Sequence, residues 1–151
     1  MLTVGIDSYI TIGDADEYIR GHLRAGDPDR ERWENIAEED KENCIRVACE
    51  ELERLPWAGT ALQKGQRLSF PRKPETSVPI AITAAQAELA LWLSDEEARN
   101  EDEQRNQLQA SGVKSISLGL LSMSFDGDIP TALCCREARK FVTPYLNGGY
   151  E

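Results

Sequence analysis

The stretch from Pro79 to Leu93, PIAITAAQAELALWL, constrains this chain more than any other. Eleven of its fifteen residues are apolar: Ile80, Ala81, Ile82, Ala84, Ala85, Ala87, Leu89, Ala90, Leu91, Trp92 and Leu93. Pro79 suits the first turn of a helix. Wound at the helical period, the segment has no polar face, so it must be covered on several sides at once. Its alanines permit close approach of neighbouring helices. A helix of this kind is expected to pack against its own bundle on one side and against another copy on the other. Ala84, Ala87, Leu91 and Trp92 are the candidate protomer-to-protomer contacts.

Other helices are legible around it. In TIGDADEYIRGHL, Thr11 and Asp14 have capping-box spacing. Ala15, Tyr18, Ile19 and His22 then recur at three- and four-residue steps, predicting a helix from about Gly13 to Leu23. Gly26 and Pro28 break it, and RERWENI reads as a helical turn with Trp33 and Ile36 inward. Asn35 and Glu38 sit at capping spacing before a helix from about Ala37 to Leu55, whose face is Cys44, Ile45, Ala48, Cys49, Leu52 and Leu55. Glu39, Asp40 and Glu42 favour the positive end of its dipole. Val113–Phe125 alternates at period two on either side of Gly119 and reads as a hairpin or a bulged strand. Pro130 opens a last helix to about Val142. The fold class is therefore mainly α, a small helical bundle with a long ordered loop and a short β-hairpin or strand pair. A single domain of 151 residues is expected, with an N-terminal arm over 1–12 and a C-terminal tail over 143–151.

Residues 56 to 78 follow no period, and loops this long inside compact domains tend to be functional. Lys64, Arg67, Arg72 and Lys73 outweigh Glu75 there, giving +3 in a chain whose net charge is −10, so the remainder totals −13. So acidic a chain should be repelled by a phosphate backbone unless that local patch overrides the repulsion. Trp57, Leu68 and Phe70 are expected to pin the loop to the body. Three readings of the patch stand side by side: a nucleic-acid site with Trp57 and Phe70 flanking the cations, cations meeting surplus acids of the same chain, and docking onto an acidic partner.

The search for catalytic chemistry fails. GTALQKGQ lacks the glycine spacing and the Lys-Ser/Thr pair of a phosphate loop, and SISLGLLS lacks a nucleophile elbow. Asp14 and Glu17 share a helical face, but capping and solvation account for them as well as acid–base work does. DSYITIGDAD departs from the oxygen spacing of a calcium loop. The single histidine, His22, reads as packed or solvated. Cys44, Cys49, Cys134 and Cys135 match no zinc pattern and read as small apolar residues in a reducing compartment. No enzyme activity, cofactor or metal is expected. The N-terminus lacks the features of a signal peptide, and no apolar run is long enough to span a membrane.

Three stretches in order carry a family resemblance: TIGDADEYIRGHL, then CIRVACEELERLPWAGTALQKGQRLSFPRK, then VPIAITAAQAELALWL. VKSISLGLLSMSF and the late PYL fall in matching places. The chain resembles tailed-phage head–tail connectors of the adaptor type, a group some of whose members are labelled DnaT-like single-stranded DNA-binding proteins. The acidic segment from Ser94 to Asn106 departs from that pattern. The resemblance implies a virion protein, present in the host cytoplasm during assembly. It implies a ring of about twelve copies between a portal and a stopper or tail-completion protein, with DNA passing through without specific binding. Its partner-facing residues would be Trp57, Lys64, Arg67, Phe70, Arg72 and Lys73 in the loop, the strand pair, and Phe141, Tyr145, Leu146 and Tyr150 in the tail. The label's alternative is a single-stranded DNA-binding replication accessory protein.

Overall fold

In the computed structural model, residues 2–95 and 135–146 are described. Among these residues there are five α-helices: α1 (Ile12–His22), α2 (Pro28–Asn35), α3 (Glu38–Glu53), α4 (Ile80–Leu93) and α5 (Arg136–Val142), the last running into a 3-10 turn at Thr143–Tyr145. The fold is mainly α, as expected. The strand pair at Val113–Phe125 and the residues from Pro130 to Cys134 lie outside the described residues. Among the described residues, β pairing is confined to isolated bridges at Val4–Ser8, Trp57–Leu146 and Ala61–Arg72.

Local chemistry explains where the helices begin. Thr11 and Asp14 form the expected capping box, each side chain taking the other's backbone N–H at 3.0 Å. Pro28 starts α2 rather than merely breaking α1: Asp27 caps it by accepting from the Asp29 N–H at 2.9 Å, and proline fits the first turn, where no N–H is needed. The cap expected at Asn35 is not used. Ala37 is the N-cap of α3 without a side-chain bond, and Glu38, Glu39 and Asp40 supply negative charge to that end instead. Pro79 stands one residue earlier than expected, as the N-cap of α4.

The centre of the bundle is α4, packed between α3 and α5 and touched by α1. Ile82, Ala85, Leu89 and Ala90 have no solvent exposure. Ala84, Ala87 and Leu91 are also buried, and Trp92 is half-buried. This corrects the premise that the helix needs a neighbouring copy to seal it. Three helices of the same chain already cover its sides, because small alanines let them approach closely. Ile80, 86% exposed, is the apolar residue that escapes.

One polar residue sits inside this helix. Gln86 is fully buried and fully bonded. Its Oε1 accepts the Tyr9 N–H at 3.0 Å, and its Nε2 donates to Ser8 Oγ and to the Ile45 carbonyl, both at 2.9 Å. The partners fix the amide's orientation, since an N–H needs an acceptor and a carbonyl needs a donor. Ser8 Oγ in turn donates to the Ile10 carbonyl and accepts the Ile10 N–H. The N-terminal arm is thereby fastened to α3 and α4 at once.

Two further ties complete the frame. Trp33, without solvent exposure, donates its indole N–H to Asp16 at 2.8 Å, and Lys41 reaches the same carboxylate at 3.3 Å, joining α1, α2 and α3. From α2, Arg32 caps the C-terminal end of α4: it donates to the Leu91 carbonyl and Ser94 Oγ, and pairs with Asp95 at 3.2 Å. A cation there meets a carbonyl of the last turn and the negative end of the dipole.

Replacing Gln86 with Ala strands the Tyr9 N–H in the core and leaves a cavity. The expected cost is about 3 kcal/mol, read as a lower urea midpoint with an unchanged slope. Gln86→Met refills the volume without the bonds and should recover part of that loss.

Candidate nucleic-acid interface

The long loop turns out to be an ordered hairpin. Leu62 donates its N–H to the Pro71 carbonyl at 3.0 Å, and Lys73 donates to the Thr60 carbonyl at 2.9 Å, so residues 60–62 and 71–73 run side by side. At the tip, Gly65 takes φ +85°, a left-handed conformation that favours glycine. Gln66 staples the interior: its amide nitrogen donates to the Leu68 and Pro71 carbonyls, and its oxygen accepts the Gln63 N–H. The Phe70–Pro71 and Lys73–Pro74 peptides are both cis.

An aromatic pocket anchors the hairpin. Phe70, 5% exposed, meets Trp57, Tyr145 and Tyr9 edge-on, with ring centroids 4.8, 6.0 and 6.1 Å away. Glu53, near the end of α3, ties the base. It accepts the Tyr9 hydroxyl at 2.5 Å and the Ser69 N–H at 2.8 Å, and the Tyr9 oxygen accepts the Phe70 N–H at 3.2 Å. Across the chain, Ala58 donates its N–H to the Tyr145 carbonyl at 2.8 Å, and Trp57 pairs with Leu146. The indole N–H of Trp57 is buried without a partner, and nothing in the structure explains it.

These contacts sort the candidate residues. Trp57, Phe70 and Leu146 are buried, and Tyr145 is half-buried. Within the chain they pin the loop, because edge-to-face packing hides the aromatic rings. Arg72 acts likewise. It donates to the carbonyls of Ala58, Gly59 and Ser69 and lies 6.0 Å from the Phe70 ring, so its guanidinium holds backbone and meets no surplus acid. Tyr150 lies outside the described residues.

Lys64, Arg67 and Lys73 are what the hairpin presents. All three are exposed, and no hydrogen bond or ion pair joins their side chains to any described residue. Most other described cations are engaged: Arg30 with Glu34, Arg32 with Asp29 and Asp95, Lys41 with Asp16, Arg46 with Glu42, Arg54 with Glu51, and Lys140 with Glu137, whereas Arg24 and Arg136 are exposed single cations apart from the hairpin. The three hairpin cations border a groove of about 560 Å3 whose walls include Gln63, Gln66, Leu68 and Ser69, with the committed Glu53 at its base.

A sequence model of the family described as "Putative DnaT-like ssDNA binding protein" matches residues 2–150. The chain belongs to that family. No curated protein and no solved structure matches it. The family description names DNA binding, and none of the comparisons supports the head–tail part of the resemblance.

The second region of note lies on the opposite side of α4, where α1, α4 and α5 leave two adjoining cavities. Tyr18, His22 and Phe141 border both; Ala84 and Ala87 line one, and Leu91 and Trp92 the other. His22 is exposed, stacks on Tyr18 at 3.9 Å and bonds the Tyr18 carbonyl. Burial raises the Glu88 carboxyl above the usual range, aided by the charge of Glu137. Asp14 serves in the capping box, Glu17 is exposed, and among the described residues no group of three His, Cys, Asp or Glu side chains is placed to hold a metal. No described helix is long and apolar enough to cross a membrane. Of the four cysteines, Cys49 and Cys135 are buried and Cys44 is half-buried; Cys134 lies outside the described residues.

The anchor of the hairpin has a pH signature. Burial, then the hydrogen bond and charge of Glu53, hold the Tyr9 phenol well above its ordinary value of about 10. Burial and the charge of Glu53 push the Cys49 thiol up to about 12. Both groups keep their protons more tightly folded than unfolded. Their contribution is complete below the unfolded values and is lost as pH rises past them. The urea midpoint should therefore hold up to about pH 8.5 and fall steadily from there to pH 12. Tyr9→Phe should be less stable at pH 8 and show a shallower alkaline decline.

Proposed function

We propose that this chain binds single-stranded DNA, without catalysis, through the hairpin face formed by Lys64, Arg67 and Lys73. One observation carries the reading. In a chain of net charge −10, three exposed cations without acid partners are gathered on one hairpin, around one groove. Membership in a family described by single-stranded DNA binding supports the same reading. A fixed cluster of cations offsets the long-range repulsion only locally, because exposed charges are screened beyond roughly 8 Å at physiological salt. Affinity should accordingly be modest and strongly salt-dependent, with a Kd on the order of micromolar at low ionic strength.

The test is anisotropy of labelled oligo-dT titrated with the full chain. The wild-type chain should bind at low salt, and the combined Lys64→Ala, Arg67→Ala and Lys73→Ala variant should not, with its helical circular dichroism intact. Arg72→Ala should instead act through stability, lowering the urea midpoint by loosening the hairpin. Failure of the wild-type chain to retain oligo-dT at low salt would sink the proposal.

A second reading, the structural adaptor between a phage portal and a stopper or tail-completion protein, is favoured by a different observation. Ile80 is 86% exposed and borders the cavity floored by Ala84 and Ala87, with Phe141 alongside. That apolar surface on α1, α4 and α5 is where a ring neighbour or portal segment would sit in a virion. Light scattering of the chain mixed with its purified portal should show a complex that Ile80→Asp weakens. A chain that stays monomeric with portal present counts against the adaptor.

A further inference from the structure

The hairpin face also states how it would recognise a nucleic acid. We infer that it reads the phosphodiester backbone alone, without base stacking, and so takes duplex as readily as single-stranded DNA; this rests on the DNA-binding reading above.

Single-strand binders commonly add aromatic platforms on which successive bases lie. No aromatic ring is among the residues lining the groove between Glu53 and Lys73. The loop's own rings, Trp57 and Phe70, are turned into the edge-to-face pocket, with their faces taken up by Tyr145, Tyr9 and each other. The planar guanidinium of Arg72 is held by three backbone carbonyls. Some groups that could read base edges are spent: the Gln66 amide bonds Leu68, Pro71 and Gln63, and Ser69 Oγ bonds Glu53 at 3.1 Å, which leaves the Gln63 amide and the Thr60 hydroxyl as uncharged polar groups on the groove wall. Three exposed cations dominate what is left, and their chemistry matches phosphate oxygens of any sequence. Duplex DNA carries about twice the linear charge of one strand, so charge alone gives single strands no advantage.

Anisotropy with three labelled probes of equal length tests this: oligo-dT, a mixed-sequence single strand without self-pairing, and a duplex. The two single strands should bind within about three-fold of each other, and the duplex as tightly or more tightly. Three released counterions give a slope of log K against log salt of about −2 for single strands and about −2.7 for duplex. Arg67→Lys should bind within about two-fold of the wild-type chain, because charge without a plane suffices, whereas Arg67→Ala should flatten the slope by about one unit. A single-strand preference over duplex above about ten-fold overturns the inference, because it requires stacked bases. So does Arg67→Lys losing as much as Arg67→Ala. In either case the DNA-binding reading stands. Absence of binding by every probe at low salt overturns both.

Discussion

A single buried amide holds this molecule in register. Gln86 lies in the middle of a helix that is otherwise apolar almost all round, and each of its bonds reaches a different part of the chain: the arm at Tyr9, the Ser8 hydroxyl and the α3 carbonyl at Ile45. Apolar packing alone leaves an alanine-rich helix free to rotate or slide, since small side chains interdigitate in several ways. A satisfied amide removes that freedom, because any rotation would leave several polar groups unpaired in a dry core. The hairpin inherits this order. Tyr9, placed by Gln86, is the residue whose hydroxyl links Glu53 to the backbone of Phe70.

The molecule thus divides its charges between two tasks. Most cations are spent on the frame: Arg32 closes α4, Lys41 joins Asp16 beneath Trp33, and Arg72 gathers the loop carbonyls. Exposed ion pairs contribute little each, but Arg32 and Arg72 also bond backbone carbonyls. Lys64, Arg67 and Lys73 are left over on the surface of the part most firmly built around them. Rigidity matters there, because a preordered cluster loses less side-chain freedom on meeting a polyanion than a flexible basic tail does.

The helices were largely legible in the sequence because they depend on short-range signals. Thr11 and Asp14 announce α1 by themselves, and the apolar period of α3 needs no knowledge of its partners. Pro28 was read as a breaker, yet the same residue starts a helix when an aspartate precedes it. Long-range chemistry was hidden. Arg72 looks like a ligand-facing cation because the three carbonyls that claim it are brought together only by the folded hairpin. Trp57 and Phe70 look like stacking platforms for the same reason. Gln86 did leave a trace: an uncharged amide among alanines, at the centre of a helix with nowhere wet to point. The premise that α4 needs a second copy failed on geometry, since α1, α3 and α5 come close enough to cover it.

The aromatic pocket has a bearing on biosynthesis. Its walls come from Tyr9, Trp57 and Tyr145, far apart along the chain. On the ribosome Phe70 emerges well before Tyr145 and Leu146, so one wall is missing while α1, α2, α3 and α4 can already emerge. The basic groove reaches its finished shape only when the turn at Thr143–Tyr145 arrives to close the ring cluster from behind.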